Sequence, residues 1–152
     1  MTKAASPRRS VARSTARLAA VQALYQQAME GTALAKLLDE FHQHRLGKTL
    51  DEEALADAEV EFFDDIVSGV HARSEEIDAL VSDRLREGWS LQRLDKTLVQ
   101  ILRAGTYELL ARRDVPVGAV ISEYVDVAHA FFNEREAKFV NGVLDEVAKA
   151  AR

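Results

Sequence analysis

Apolar residues recur along the last third of the chain at the three-and-four spacing of one helix face. Leu94, Leu98, Ile101, Leu102, Gly105 and Leu109 form a first stripe. Val117, Val120, Ile121, Val125, Ala128 and Phe131 form a second, and Phe139, Val140, Val143, Leu144 and Val147 a third. Three such helices with little loop between them predict a compact bundle that buries its stripes internally. Asp114-Val115-Pro116 ends one helix and starts the next, because proline in a first turn loses no needed hydrogen bond and presets φ. Phe132-Asn133-Glu134 reads as the turn before the last helix. Asn141-Gly142 is a hairpin signature in isolation, but it sits inside the third stripe and reads as helix.

The same spacing predicts helices upstream. Ser10 is a good N-cap, since its hydroxyl can accept from an orphan backbone N–H. The helix after it turns Val11, Leu18, Ala20, Val21, Leu24, Tyr25 and Ala28 inward and ends before Gly31. Thr32 caps a second helix with Leu34, Leu37, Leu38 and Phe41 inward, running to about Leu46 and stopping at Gly47. Val60, Phe63, Ile66, Val67 and Val70 mark a third. The pattern resumes after Ser74 with Ile77, Leu80, Val81 and Leu85 and breaks at Gly88, leaving Trp89 and Leu91 as core that bridges into the bundle. Gly69, Gly105 and Gly142 each interrupt a helix at about 1 kcal/mol against alanine. Close helix crossings at these three points would offset that cost.

Composition narrows the class. The chain has 152 residues, 47% hydrophobic and 30% charged, enough for one domain or two small subdomains. Two prolines and seven glycines leave little material for an all-β fold rich in tight turns. Cysteine is absent, which excludes disulfides and thiolate metal sites. No apolar run nears the roughly 18 residues of a membrane span, and no apolar block follows the basic N-terminus as a signal peptide requires. The expected location is the cytoplasm, with no membrane partner.

Charge is distributed unevenly. The net charge is −5, yet residues 1–29 hold Lys3, Arg8, Arg9, Arg13 and Arg17 and no acid. Arg13 and Arg17 stand four residues apart on one helix face, and Arg9 and Arg8 extend the line toward the N-terminus. Cations there oppose the helix dipole at up to about 1 kcal/mol each. A phosphate-bearing partner would repay that cost, so the basic head points to nucleic acid. A merely solvated tail explains the charge about as well. From Asp51 to Asp65 the chain carries eight acids and no base. Complementing a helix dipole accounts for most of that stretch, and docking of a basic protein is the functional alternative.

Catalytic and metal signatures are missing. The chain holds no Gly-rich phosphate loop, Gly-x-Ser-x-Gly, His-Glu-x-x-His or dinucleotide fingerprint. His42 and His44 are two apart, which puts them on different helix faces, whereas a helical metal site prefers spacings of three or four. His71 and His129 read as surface or boundary residues. No calcium-loop pattern accompanies the acids. These observations favour a binding module without cofactor or metal.

Five separated pieces, in order, carry a family resemblance. They are Ala16-Arg17-x-x-Ala-Val-Gln-Ala-Leu-Tyr25, Leu102-Arg103-x-x-x-Tyr107-Glu108-Leu109, Arg113-Asp114-Val115-Pro116, Ile121 with Glu123, and Lys138-Phe139-Val140-Asn141-Gly142-Val143-Leu144-Asp145. Together they resemble the NusB family of transcription antitermination factors from about Arg13 to Ala148, with weaker similarity at Phe62-Phe63 and Ser68-Gly69-Val70. Residues 30–55 match little. The resemblance implies an all-α NusB-like bundle of about seven helices in two small subdomains. Residues 1–9 would be a disordered basic tail. Residues 10–152 would form one domain, with subdomains of about 10–88 and 89–152.

The resemblance also implies partners. These are boxA RNA of ribosomal RNA leader transcripts and NusE, a small-subunit ribosomal protein that doubles as a Nus factor. Beyond them lie RNA polymerase and the other Nus factors of the antitermination complex. Some family members self-associate, so a homodimer is within the family's range. In the family an arginine-rich N-terminal segment contacts RNA, which here falls on Arg13 and Arg17 with Arg8 and Arg9 upstream. Gln22 could read a base edge or be plain surface. Tyr25 and Phe131 offer rings for stacking, although the apolar pattern claims both first for the core. Lys138 lies near the family's RNA-facing turn. The chain departs from the family at Ser14-Thr15, which interrupt the arginine cluster, and at Arg135, which stands where an acid is common and adds a phosphate contact.

Two other readings remain open. Some rRNA cytosine methyltransferases carry a NusB-like N-terminal domain, and this chain would be such a module detached. Alternatively it is a helical protein–protein adaptor whose basic head is incidental. Salt-dependent RNA binding separates the adaptor from the RNA-binding readings.

Overall fold

The computed structural model describes residues 7–44, 46 and 53–152. Seven α-helices and one 3-10 turn make up its regular structure, with no strand among the described residues. They are α1 (Pro7–Glu30), α2 (Leu34–His44), α3 (Glu53–Ala72), α4 (Ser74–Ser82), α5 (Lys96–Ala111), α6 (Val117–Phe131) and α7 (Glu134–Ala151), with the 3-10 turn at Leu91–Arg93. The all-α expectation and the three C-terminal helices hold. No described helix is long and apolar enough to cross a membrane. The tail expected to be disordered lies outside the described residues up to position 6, as do Gly47, Asp51 and Glu52.

The chain divides into two compact units, Met1–Ser68 and Gly69–Arg152. The division expected near residue 88 therefore falls upstream, inside α3. Gly88 (φ +86°) makes a turn within the second unit, because α4 packs on α5. There Arg103 grips Asp78 with two hydrogen bonds of 2.8 and 2.9 Å.

In the first unit, α1 packs through alanines. Ala12, Ala16, Ala19, Ala20 and Ala23 are all buried, joined by Val21 and Leu24. That face shares Ala20, Val21 and Leu24 with the expected one but is shifted at its edges: Val11 is 57% exposed, Tyr25 39% exposed, and Ala28 is exposed too. Small side chains let the helix approach its neighbours closely, so alanines occupy the centre of the stripe and the larger residues flank it. The helix also starts at Pro7, three residues before Ser10, with proline in its favoured first position. Gly31 (φ +67°) ends it, its N–H bonded to the Gln27 carbonyl at 2.9 Å. The Ala33 carbonyl accepts the first bond of α2, from Leu37 N–H, so Thr32 lies one residue before the cap position. Phe41 of α2 stacks on Phe63 of α3 at 5.3 Å, and Gln26 donates to Glu40 across α1 and α2.

In the second unit α5 is the central helix. Every residue from Leu98 to Leu109 is buried except the half-buried Arg103. Asp95 caps it by accepting from the N–H groups of Thr97 and Leu98. Its far end is closed by Arg152, whose guanidinium donates to the carbonyls of Leu109, Val115, Glu108 and Arg112. Gly105 permits the close approach of α7 and α6: a Cβ there would lie 2.8 Å from Leu144 Cδ1 and 3.3 Å from Tyr124 Cδ2. Gly69 does the same for α3 against Tyr107. Gly142 does not, since it is exposed and a Cβ there would meet nothing within 4 Å. Inside this core the Tyr124 hydroxyl donates to the Glu108 carboxylate, both groups fully buried.

Candidate nucleic-acid interface

The residues expected to meet RNA fall into both units. Arg8 and Arg9 occupy the first turn of α1 and are exposed, and no acid stands in that turn to offset them. One and two turns on, Arg13 and Arg17 converge on a single ring. Their guanidinium carbons lie 4.8 and 4.9 Å from the centroid of Phe62 on α3. A cation within about 6 Å of a ring centroid is attracted by the negative face of the π system, by about 2 kcal/mol when desolvated. Arg17 is 3% exposed and Phe62 also 3%, while Arg13 is only half-buried. The structure therefore presents Arg8, Arg9 and Arg13 to solvent and holds Arg17 inside. Arg17 borders the alanine face, and its guanidinium ends on the buried ring of Phe62.

Gln22 is half-buried. At 100° per residue it stands about 140° around the helix from Arg17, so the two do not share a face. Tyr25, first claimed for the core, instead leaves its ring partly in water at 39% exposure. The six first-unit residues thus spread around α1 and do not form one stripe.

In the second unit, Phe131 ends α6 and is 42% exposed, again not core. Its ring lies 6.4 Å from that of Phe132. Arg135 and Lys138 are exposed on the first turns of α7, with 92% of the Arg135 side chain open to solvent. Acids share this region: Glu134 lies 3.6 Å from His129, and Glu136 3.5 Å from Arg135. Glu134 and Glu136 suit the helix N-terminus electrostatically.

The acidic stretch is not a uniform face. Glu59 is buried, Asp64 bonds to His42, and Asp57 and Glu61 are exposed. No group of three or more metal-binding side chains occurs among the described residues. Two features are hidden from the sequence pattern. Phe62 lies 45 residues from Arg17, beyond any local periodicity. Trp89, expected in the core, is 49% exposed on the loop between α4 and α5.

Comparisons with known proteins agree with the fold. The family model described as NusB family matches residues 14–149. The transcription antitermination protein NusB of Novosphingobium aromaticivorans is 69% identical over 141 residues, covering 93% of this chain and 95% of that protein. The protein of the same name from Sphingopyxis alaskensis is 62% identical over 145 residues, covering 95% and 97%. Among solved structures, NusB of T. maritima superposes with a TM-score of 0.75 at 35% identity, covering 98% of this chain and 96% of that one. A crystal structure of the antitermination factors NusB and NusE in complex with dsRNA gives a TM-score of 0.77 at 29% identity, covering 92% and 98%.

Proposed function

The chain belongs to the NusB family, and from that premise we propose that it is a transcription antitermination factor that binds RNA together with NusE. The observation that carries this reading is the shared fold, over nearly the whole chain, with a NusB solved with NusE and dsRNA. The RNA is boxA-type and single-stranded, from ribosomal RNA leader transcripts. The complex supports rRNA operon transcription by helping to load other Nus factors onto RNA polymerase. Its place of work is where transcription occurs, the bacterial cytoplasm. The activity is binding, with no chemical step.

Single-stranded RNA is held through phosphates and through bases laid on flat side chains. Arg8, Arg9 and Arg13 supply phosphate contacts in the first unit, and Arg135 and Lys138 in the second. Tyr25 and Phe131 offer exposed rings to bases, and Gln22 an amide to a base edge. Arg17 acts through position: it fills the α1 face beside Phe62 and fixes the arginine row. Each phosphate neutralised on a single strand contributes about 0.7 to the slope of log affinity against log salt. These five cations alone give a slope of about −3.5, and NusE steepens it if it adds basic surface.

The test is binding of a boxA-like single-stranded RNA against a scrambled control, with and without NusE, at two salt concentrations. Tighter, boxA-selective binding in the presence of NusE is expected. Equal affinity for both RNAs in both compositions would overturn the reading and favour a helical adaptor.

A further inference from the structure

Trp89 is the only tryptophan in the chain, and it is half exposed. Its position is fixed by a tight turn. The Trp89 N–H bonds to the Arg86 carbonyl at 2.9 Å, and Gly88 takes the positive φ of +86° that the third position of such a turn demands. A second turn follows at once, with the Arg93 N–H bonded to the Ser90 carbonyl. From one side the ring rests on Phe139 of α7, centroids 5.4 Å apart and planes 36° apart. The loop therefore holds a large flat ring in place, backed by a second ring, with much of its surface in water.

The charges around this pair are mainly positive and available. Arg86 and Arg93 flank Trp89 on its own loop, Lys138 adjoins Phe139, and Arg135 lies one helical turn before Phe139. All four are exposed. Arg86, Arg93 and Lys138 make no ion pair among the described residues. Of the neighbouring acids, Glu134 faces His129 and Glu136 faces Arg135, and Glu87 is exposed in the turn itself. A rigid ring for a π face, with unpaired cations on both supporting elements for phosphates, is the chemistry that recognises a single-stranded nucleic acid. An apolar protein partner would use the ring but gain nothing from the cations.

We infer that Trp89, backed by Phe139, is a base-stacking position for single-stranded RNA, with Arg86, Arg93 and Lys138 holding the adjoining phosphates. The inference rests on the RNA-binding reading above and adds a site to it. Stacking on an aromatic platform tolerates any base, so Trp89 contributes affinity and leaves the choice of sequence to other contacts.

The single tryptophan makes the test direct. The full-length chain is titrated with a fluorescently labelled boxA-like RNA at low salt, following RNA anisotropy and Trp89 emission together. Emission is expected to quench in step with anisotropy. An RNA of the same length with abasic nucleotides, which keeps the phosphates, is expected to bind more weakly and leave emission unchanged. Trp89→Leu should weaken binding about tenfold, the value of one stacked base, with an unchanged salt slope, and Trp89→Phe should recover most of it. Melting curves establish that both variants fold. RNA binding with unchanged emission and an unaffected Trp89→Leu variant would overturn the inference while leaving the RNA-binding reading intact. Loss of NusE binding alone in Trp89→Leu would also overturn it, by assigning the ring to a protein contact. Failure of any RNA to bind, with or without NusE, would overturn both.

Discussion

Replacing Gly69 with alanine should destabilise the chain, although alanine is the better helix former. Gly69 lies in the last turns of α3 at an ordinary helical φ, so no backbone conformation demands glycine. In a helix interior the change gains about 1 kcal/mol of propensity. Against it stands Tyr107. A Cβ on residue 69 would lie 2.1 Å from both Cε1 and Cζ of that ring and 2.6 Å from its hydroxyl oxygen. Carbon atoms in contact sit about 3.5–4.0 Å apart, so the ring would have to retreat by well over an ångström. It is only 6% exposed, so retreat means displacing buried neighbours. Overpacking of this kind costs about 1–3 kcal/mol, and an overlap this deep belongs at the upper end. The net loss is then about 2 kcal/mol. Urea unfolding followed by circular dichroism would measure it in four proteins: the parent, Gly69→Ala, Tyr107→Leu and the double variant. Leucine keeps the apolar stem and removes the three atoms that collide. In that background Gly69→Ala should reverse sign and stabilise by up to about 1 kcal/mol. An equal cost in both backgrounds would refute the steric argument.

Gly105→Leu should lower the melting temperature sharply, because even a methyl at that position collides with Leu144; an unshifted melt would mean that α5 and α7 can separate without penalty. Arg152→Ala should cost about 1–2 kcal/mol in urea unfolding, since it removes a fork that binds four carbonyls in the last turn of α5, its cap and the loop after it. Lysine at 152 should recover only part, as an ammonium cannot make the planar fork. Arg135→Glu should weaken RNA binding and flatten its salt dependence by about 0.7 for the lost phosphate contact; an unchanged slope in a salt titration would remove Arg135 from the interface.

The C-terminal helices are legible in the sequence because their signals are strong and redundant. Leucines, valines and isoleucines mark each stripe, and Pro116 and Asn133 punctuate them where α6 and α7 begin. Even Asn141-Gly142, a turn signal by local chemistry, stays helical because the stripe around it outweighs the dipeptide. The face of α1 is only partly legible for the converse reason: Ala20, Val21 and Leu24 are inward as expected, and the rest of the face is missed. Alanine carries little hydrophobic signal, so Val11 and Tyr25 draw the pattern toward them while Ala12, Ala16, Ala19 and Ala23, outside it, do much of the packing. The division into units is hidden because a glycine at a turn looks the same whether the chain leaves a unit there or merely bends within one. Trp89 is hidden by its size: a large apolar residue beside a stripe is usually core, and only the fold shows which side of its ring is covered.

The arginine row shows why a charge pattern can point to a class of partner and still not sort the residues that would meet it. Four cations in the first turns of a helix oppose its dipole. The fold offsets part of that cost by placing two of them on the ring of Phe62, where burial strengthens the attraction. This grades the row along α1. Arg17 is enclosed, with its guanidinium on the Phe62 ring. Arg13 is half-buried, with its guanidinium already located, so it loses little rotamer freedom when a phosphate arrives. Arg8 and Arg9 are exposed on the first turn. A single-stranded ligand needs both properties, because its backbone is flexible and yet must be held in register for its bases to be read. In the proposed RNA-binding role the root of the row would supply register and its tip adaptability, a division that depends on a phenylalanine 45 residues away and that no count of arginines could have revealed.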